Sequence, residues 1–436
     1  NFLHLNEKHP SQSSFSKANS KIDDWLFNNE LYCGKKITDN VFSLGSLKNG
    51  LIIIDSSLNI TSRINSTNGL QDDAVKHISV DANGNLWLSL NKGISYYEKS
   101  TPITYFGKQD GIDGVVENST KFNKQLFIAT DKGLKQFDDI SQKFIKTEVS
   151  SSCYVVSKSH NALFISSDDG TYEYNGKMYT LINDESSYSC FFNLQNNQLY
   201  IGTNNALLVL NAKYEVIFRF DDIGSVRSIA FDKNGICVLG TSKNGIYLLD
   251  KQYHLKNLGM KEGLPNLSET NVFSYNGQLF LTTDFGFYEF NPNYSKVLKS
   301  AQLAAKDGWV VDKAVQINNQ IWFQSSTKDK LKVRMEEISV LGKSSDNFKL
   351  VKTYLSRIQN ADVKHFLQDS NHIFISTNQG LYSYELNKYQ NQKKFNVILS
   401  KITFENDTVH SFDNYTSDFN NQNLSISYIN NELQII

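Results

Sequence analysis

The stretch DANGNLWLSLNKGISYYE, from Asp81 to Glu98, decides the architecture of this chain, because weaker copies of it recur along the sequence. It contains an Asn-Gly pair, a short apolar run, a second glycine and a run that ends in aromatic residues. Asn83-Gly84 suits a tight hairpin turn, since few residue types tolerate a positive φ. The apolar run suits a short buried strand. Recurrence of such a unit indicates a repeat protein.

The period of the repeat follows from the large apolar residue near the centre of each copy. Successive spacings between these residues are 40, 37, 36, 38, 42, 42 and 52 residues. A period of about 40 to 45 residues with several short strands is typical of a four-stranded propeller blade. The pattern therefore predicts an all-β chain of β-propeller repeats. The marking residues are Trp87, Phe127, Phe164, Tyr200, Val238, Phe280, Trp322 and Phe374, and an earlier copy covers Phe42 to Asp55.

Counting the copies predicts the domain organisation. The seven copies from Phe127 to Phe374 predict a seven-bladed propeller over residues 103–390. The two earlier copies predict the last blades of a first, truncated propeller over residues 1–102, and a single propeller of eight or nine blades is the alternative count. After Glu385 the pattern changes to FNVILSKITF and LSISY, which predicts the start of a β-sandwich over residues 391–436. A whole sandwich needs about seven strands.

A second recurring element precedes several blades. Its glycine lies 18, 16, 17 and 14 residues before the marking residue of the following blade. We interpret it as the turn that joins the outermost strand of one blade to the innermost strand of the next. The four copies are Asn68-Gly69-Leu70, Asp110-Gly111-Ile112, Glu262-Gly263-Leu264 and Asp307-Gly308-Trp309.

Composition excludes several classes of protein. The 436 residues include 44 basic and 45 acidic side chains, a net charge of −1, and no basic stripe, which argues against nucleic-acid binding. No apolar run reaches the 18 residues of a membrane span. Cys153 and Cys190 lie one blade apart, so a disulfide between neighbouring blades is one alternative. Neighbouring inner strands usually diverge too far for one, so buried free thiols are the favoured alternative.

No motif of a known catalytic or metal site occurs in the sequence. H-E-x-x-H, G-x-S-x-G, P-loop and C-x-x-C patterns are all absent, and the eight histidines share no ligand spacing. The segment from Asp81 to Asn85 departs from a calcium loop in its glycine position and lacks the closing Glu. The sequence thus predicts no enzyme, no metal and no cofactor. A charged insert beginning at Lys328 predicts a protruding hairpin or a surface loop.

The D-x-x-G-N-L-W strand, the following G-[IL] strand with aromatics and the [ND]-G-L lead-in together resemble the regulator-propeller repeat. That repeat forms the sensor region of two-component regulators common in Bacteroidetes. The change after Glu385 is similar to the start of the triple-tyrosine sandwich of that family. The resemblance covers about residues 40 to 430, although the Asn-Leu-Trp core is intact only in the first full copy. It implies two stacked seven-bladed propellers, a sandwich, a membrane span and a cytoplasmic output such as a histidine kinase.

The resemblance implies that the chain is the ligand-sensing region, periplasmic or extracytoplasmic, of an inner-membrane signal-transduction regulator. Its ligand is expected to be a carbohydrate or another small molecule. The full-length protein is expected to be a homodimer. Contact with the membrane is expected only through other parts of that protein. Aromatic and acidic residues near blade connections are the candidate ligand-binding residues. An interaction or dimerisation scaffold is the alternative, and a glycan-active propeller enzyme is less favoured because arginines are scarce. The candidates are Asp113, Tyr188, Asp307 and Trp309.

Overall fold

The structure is a computed structural model. It describes residues 2–4, 14–16, 21–99, 101–268, 270–303, 309–328, 334–344, 347–351, 353–358, 360–388, 401–404, 407–411 and 433–435. The chain divides into two compact units, Asn1–Lys388 and Tyr389–Ile436. In the second unit the described strands Lys401–Phe404, Asp407–Ser411 and Leu433–Ile435 form one antiparallel sheet. Most residues of the predicted sandwich lie outside the described residues.

The first described elements of the first unit are a pair of short antiparallel strands, a helix and two antiparallel sheets. The strand pair joins Phe2–His4 to Ser14–Ser16, and the helix is Lys21–Asn29. We call the two sheets N1 and N2. Sheet N1 contains four strands and sheet N2 contains three. The strands of N1 are Leu31–Thr38, Val41–Ser46, Leu51–Asp55 and Ile60–Ile64, and those of N2 are Val75–Val80, Leu86–Leu90 and Ile94–Tyr97.

The helix Lys21–Asn29 is a departure from the predicted all-β fold. Its apolar residues Ile22 and Trp25 are spaced by one helical turn, so they lie on the same face. Both are buried, and they pack against Ile52 and Ile54 of sheet N1. The helix therefore covers an apolar face of that sheet.

Seven four-stranded antiparallel sheets follow, which we number 1 to 7. Their first strands are Val116–Phe122, Cys153–Lys158, Ser187–Asn193, Val226–Phe231, Asn271–Tyr275, Val310–Ile317 and Val363–Asp369. Their second strands are Gln125–Thr130, Leu163–Ser167, Gln198–Thr203, Cys237–Thr241, Gln278–Thr283, Gln320–Lys328 and His372–Thr377. Their third strands are Gly133–Asp138, Gly170–Tyr174, Leu207–Leu210, Ile246–Leu249, Gly286–Phe290, Arg334–Ser344 and Gly380–Glu385. The fourth strands of sheets 1 to 6 are Lys143–Lys146, Tyr179–Asn183, Val216–Phe220, Leu255–Leu258, Val297–Lys299 and Asn347–Leu350.

The fourth strand of sheet 7 comes from a distant part of the chain. Ile103–Phe106, which precedes sheet 1 in sequence, pairs with the third strand of sheet 7 in a register that places Ile103 opposite Tyr384. The hydroxyl of Tyr105 donates a hydrogen bond of 2.6 Å to the carbonyl of Gln379. Each of the seven copies from Phe127 to Phe374 therefore forms one four-stranded sheet, with its marking residue in the second strand.

Apolar side chains fill the space between consecutive sheets. Six clusters of buried residues each join two neighbouring sheets, from the pair 1 and 2 to the pair 6 and 7. A seventh cluster contains Val116 and Ile128 of sheet 1 together with Leu381 of sheet 7. Phe106 packs on this cluster, with ring centroids 6.1 Å from Phe137 and 6.0 Å from Phe144.

The described glycine turns connect sheets as their spacing predicts. Lys108–Asp110 and Met260–Glu262 are 3₁₀ turns that end at Gly111 and Gly263, with φ of 87° and 102°. A Cβ at Gly111 would lie 2.1 Å from the carbonyl oxygen of Phe144, and one at Gly263 would lie 2.2 Å from that of Val297. Glycine is therefore required both for its backbone angle and for close approach to a fourth strand.

The second strands end in a small residue followed by Ser or Thr. In sheets 1, 2, 3, 4, 5 and 7 this hydroxyl donates a hydrogen bond of 2.7 to 3.2 Å to a carbonyl at the start of the third strand, which closes the hairpin. The small residue leaves room for the first strand of the next sheet to approach closely. A Cβ at Gly240 would lie 2.2 Å from the carbonyl oxygen of Thr270, and one at Gly202 would lie 2.6 Å from Cβ of Val226.

Sheet 6 departs from this pattern. Its second and third strands continue the ladder to the pair Lys328 and Arg334, so the hairpin extends past Ser326. The Ser326 hydroxyl is buried and has no hydrogen-bond partner among the described residues. Part of the charged insert of the sequence therefore lies in this extended strand pair, and residues 329–333 lie outside the described residues.

The close approach at Gly240 generates a stability prediction. Gly240→Ala should lower the melting temperature, because its methyl group would collide with a backbone carbonyl, an overpacking cost of about 2 kcal/mol. Gly34→Ala is the control, since the nearest atom to its Cβ is the end of the Leu44 side chain at 3.1 Å. Thermal unfolding followed by circular dichroism measures both variants. Equal melting temperatures for the two variants would contradict the proposed role of the small residue.

Candidate functional site

A large cavity lies where the first strands of sheets 1 to 7 come together. Its volume is about 890 Å³, and every one of these strands contributes residues to its wall. Cavities of about 300 to 1,000 Å³ are typical of small-molecule sites. The cavity wall is polar as well as apolar, with serine, threonine and asparagine side chains among aliphatic ones.

β-Bulges in six of the seven first strands bring one side chain each, or two in sheet 6, to the wall of this cavity. In sheets 1, 2, 3, 4, 6 and 7 the register between first and second strands shifts near the start of the first strand. A bulged residue is left out of the ladder, and its side chain is redirected. In the described part of sheet 5 the pairing is regular, and Asn271 stands at the corresponding place. The bulge residues are Glu117, Tyr154, Tyr188, Arg227, Asp312, Lys313 and Lys364, and all of them line the cavity.

Three bulge residues from sheets 2, 3 and 4 form what we call the Tyr-Arg sector, Tyr154, Tyr188 and Arg227. The rings of Tyr154 and Tyr188 lie 4.8 Å apart, and the guanidinium of Arg227 lies 3.9 Å from the centre of the Tyr188 ring. The hydroxyl of Tyr154 donates a hydrogen bond of 2.7 Å to Asp168. Burial, together with this bond and the Asp168 charge, raises the pKa of Tyr154. The phenol therefore stays protonated and held in place.

The opposite part of the wall, from sheets 6, 7 and 1, is the ionic sector, made of Glu117, Lys313, Asp362, Lys364 and His365. Lys364 donates a hydrogen bond of 2.7 Å to Asp362. Lys313 donates one of 2.7 Å to the side-chain oxygen of Asn271. One cation of this sector thus pairs with a carboxylate, and the other bonds to a neutral amide.

Burial shifts the pKa values of the ionic sector. It raises the pKa of Glu117, against the charges of Lys364 and Lys313, and lowers that of Lys313 with the help of the Lys364 charge. Burial also acts to lower the pKa of Lys364, but the hydrogen bond and charge of Asp362 outweigh it and raise that pKa. Burial and the Lys313 charge lower the pKa of His365 to about 4. Its ring is therefore neutral at pH 7, and its Nδ1 lies 3.5 Å from the backbone N–H of Ser119.

Two buried polar atoms of the wall have no hydrogen-bond partner among the described residues. They are Oδ1 of Asn118 and Oγ1 of Thr270, in side chains that are 7% and 1% exposed. Unpaired buried polar atoms are costly and rare in folded proteins. Both belong to residues that line the cavity.

The metal-binding residue types and the cysteine thiols of the described residues do not form a reactive site. Within the described ranges, no three His, Cys, Asp or Glu side chains are grouped so that they could hold a metal ion. All four cysteines are free. Cys190 lines the cavity, but burial raises the pKa of its thiol to about 11, which keeps it protonated at neutral pH.

The structure separates the residues predicted from the sequence. Tyr188 lines the cavity. Trp309 is buried in the cluster between sheets 5 and 6, with its ring 6.1 Å from Phe323. Asp113 is not among the cavity residues, and Asp307 lies outside the described residues.

Asp113 pairs with a buried cation. The ammonium of Lys135, a side chain only 3% exposed, bonds to the Asp113 carboxylate and donates a hydrogen bond of 2.6 Å to the carbonyl of Gly111. This bond lowers the pKa of Asp113. A buried ammonium needs a partner of opposite charge, so Asp113 fixes the turn that leads into sheet 1.

Comparisons with models of protein families and with curated proteins give no match. Solved structures do resemble the chain. One is described as the extracellular domain of a hybrid two component system, BT3049 from B. thetaiotaomicron, with a TM-score of 0.68 and 19% identity over 98% of this chain and 58% of that chain. The corresponding domain of BT4673 from the same organism has a TM-score of 0.55 and 14% identity over 94% of this chain and 59% of that chain.

These similarities show a shared all-β fold of repeated four-stranded sheets. The chain spans less than two thirds of either solved structure. No helix among the described residues has the length and apolar character needed to span a bilayer.

The neutral His365 generates a prediction of pH dependence. Its folded pKa of about 4 lies below the ordinary 6.5, so the unfolded chain takes up a proton first as the pH falls. Stability should therefore decrease from about pH 6.5 to pH 4, by on the order of 2 kcal/mol after allowance for cavity water. His365→Gln should remove this component, while the exposed His160→Gln should keep it. Urea unfolding across this pH range tests the difference, and parallel curves for His365→Gln and wild type would refute it.

Proposed function

We propose that this chain is the ligand-sensing, extracytoplasmic part of a membrane-bound two-component regulator, and that the cavity is its ligand site. The observation that carries the proposal is the set of bulge residues, which brings a different side chain from successive sheets to one cavity of ligand size. The likeness of nearly the whole chain to extracellular domains of two-component systems supports the same conclusion. A histidine kinase output, a homodimeric parent protein and a β-sandwich after residue 390 belong to this proposal.

We further infer that sheets 1 to 7 close into a seven-bladed propeller over residues 103–390, with sheets N1 and N2 as the last blades of a preceding one. The support is contact between sheets 1 and 7. Lys121 and Asp369 form an ion pair of 2.6 Å, and the Ser376 hydroxyl lies 3.1 Å from that of Ser119. Phe106, from the fourth strand of sheet 7, packs on aromatic rings of sheet 1.

A closed ring provides a mechanism for sensing. A ligand that touches several sheets at once stabilises the arrangement of sheets that fits it. Signalling needs a difference in affinity between two arrangements of about 1 to 3 kcal/mol. Seven sheets that share one cavity give a small ligand contact with several of them.

Ring closure predicts coupled protection of two distant segments. Phe106→Ala should raise hydrogen–deuterium exchange both in residues 125–146 of sheet 1 and in residues 372–385 of sheet 7, because the side chain bridges them. The exposed Ile140→Ala should leave exchange in sheet 7 unchanged. A response confined to sheet 7 in the Phe106 variant would argue against closure.

The ligand site predicts stabilisation by a small molecule. In a thermal-shift screen of mono- and oligosaccharides, a ligand at 100 times its dissociation constant should stabilise the folded state by about 2.7 kcal/mol. Ser274→Trp should abolish the shift by filling the cavity. Ser274 lines the cavity and is half-buried, so the larger ring extends into open space.

Ser141→Trp, in an exposed turn of sheet 1, is the matched control and should keep the shift. A shift that survives in Ser274→Trp places the ligand elsewhere. A chain that no small molecule stabilises would instead support the scaffold interpretation.

A further inference from the structure

We propose that the Tyr-Arg sector binds the oxyanion of a hydroxylated acid, either a carboxylate or a sulfate ester on a sugar-like body. This inference rests on the proposed function, because it names the ligand class of the same cavity. It depends on three features of the described wall. These are a cation without an anionic partner, a fixed orientation of that cation, and a wall of hydroxyl and amide groups.

The first feature is the electrostatic position of Arg227. No hydrogen bond or ion pair holds its guanidinium among the described residues, where its partner is the face of Tyr188. The lysines across the cavity differ, since Lys364 bonds to Asp362 and Lys313 lies near Glu117. The lysines of the ionic sector thus have acidic neighbours, whereas the carboxylate that borders the Tyr-Arg sector, Asp168, bonds to Tyr154 and forms no ion pair with Arg227 among the described residues. An anionic ligand group supplies the missing charge.

The second feature is orientation. The bulge between Val226 and Ser228 takes Arg227 out of the ladder, and Tyr188 supports the guanidinium at 3.9 Å. Tyr188 in turn lies against Tyr154, which Asp168 holds by a hydrogen bond. A planar guanidinium presents paired N–H donors that match the two oxygens of a carboxylate or sulfate. Because contact with the Tyr188 ring already restricts the Arg227 side chain, less conformational entropy is lost on binding.

The third feature is the rest of the wall. An oxyanion alone fills a small part of about 890 Å³. The remaining wall carries hydroxyl and amide groups such as those of Ser157, Ser274 and Asn271. A body with several hydroxyl groups provides donors and acceptors for them. The ligand class is therefore an acid on a polyhydroxylated body rather than an aliphatic or aromatic acid.

The test uses ligands that differ only at the acidic group. Glucuronic acid, glucose 6-sulfate and glucose share one ring, as do galacturonic acid, galactose 6-sulfate and galactose. Calorimetry and thermal shift on the whole chain should show at least one acid of a series binding more tightly than its neutral parent. Preference for the uronic acid or for the sulfate ester identifies the carboxylate or the sulfate as the natural group.

Substitutions at one position connect the preference to Arg227. Arg227→Gln should lower the affinity for the preferred acid by about 10- to 100-fold, as expected for loss of a hydrogen bond to a charged group. It should leave the affinity for the neutral sugar unchanged. Arg227→Lys should recover part of the affinity, because it keeps the charge without the planar pair of donors. Arg63→Gln removes the same charge from an exposed outer strand and should bind like wild type. Melting temperatures of the free variants check that each one folds.

Each alternative outcome overturns the inference. It fails if no acid of either series binds better than its neutral parent, or if Arg227→Gln and Arg63→Gln bind the acid equally well. A neutral sugar whose binding is lost in Ser274→Trp but not in Arg227→Gln would leave the cavity as the ligand site while rejecting the acidic ligand class. Failure of the two proposals is therefore distinguishable.

Discussion

The close approach of each first strand to the second strand of the preceding sheet is the constraint on which the structure depends. At Gly202 and Gly240 the neighbouring strand occupies the volume where a side chain would begin. The Ser or Thr that follows closes the hairpin through its hydroxyl, so two adjacent residues set both the turn and the spacing between sheets. Tight spacing brings all seven first strands to the wall of one cavity. The cavity is thus a consequence of small residues in the second strands.

Much of the fold is predictable from the sequence, because a turn and a strand period are local properties. Residues such as Phe127 and Trp322 mark second strands because that position is buried in sheets 1 to 6. It is only partly buried at Phe374 of sheet 7. The pairing of Ile103–Phe106 with sheet 7 is harder to predict from the sequence. It joins residues almost 280 positions apart, and no local pattern specifies the partner strand. The helix Lys21–Asn29 is also missed, because it is short and its stability comes from packing on sheet N1.

The candidate site is harder to predict, for a physical reason. Its side chains lie about ten residues before the marking residue of each repeat. Their position in the repeat is therefore regular, but the residue type at that position varies. A bulge needs no particular residue type here, and Glu117, Tyr154 and Arg227 occupy equivalent places. A search for a residue type that recurs in every repeat therefore does not find the bulge residues. Asp113 shows the converse, since its carboxylate neutralises buried Lys135 although its loop position resembles that of a ligand-binding residue.

Separation of the bulge residues from the ladder also explains how one architecture accommodates different ligands. A side chain outside the ladder and outside the apolar clusters can change without loss of strand pairing or of core volume. Sheets N1 and N2 carry Tyr32 and Lys76 at the same bulge positions, with the Lys76 ammonium 5.2 Å from the Tyr32 ring centre. The tyrosine–cation pair of sheets 3 and 4 thus has a counterpart in two other neighbouring sheets. The repeat supplies the position, and the residue placed there determines the chemistry.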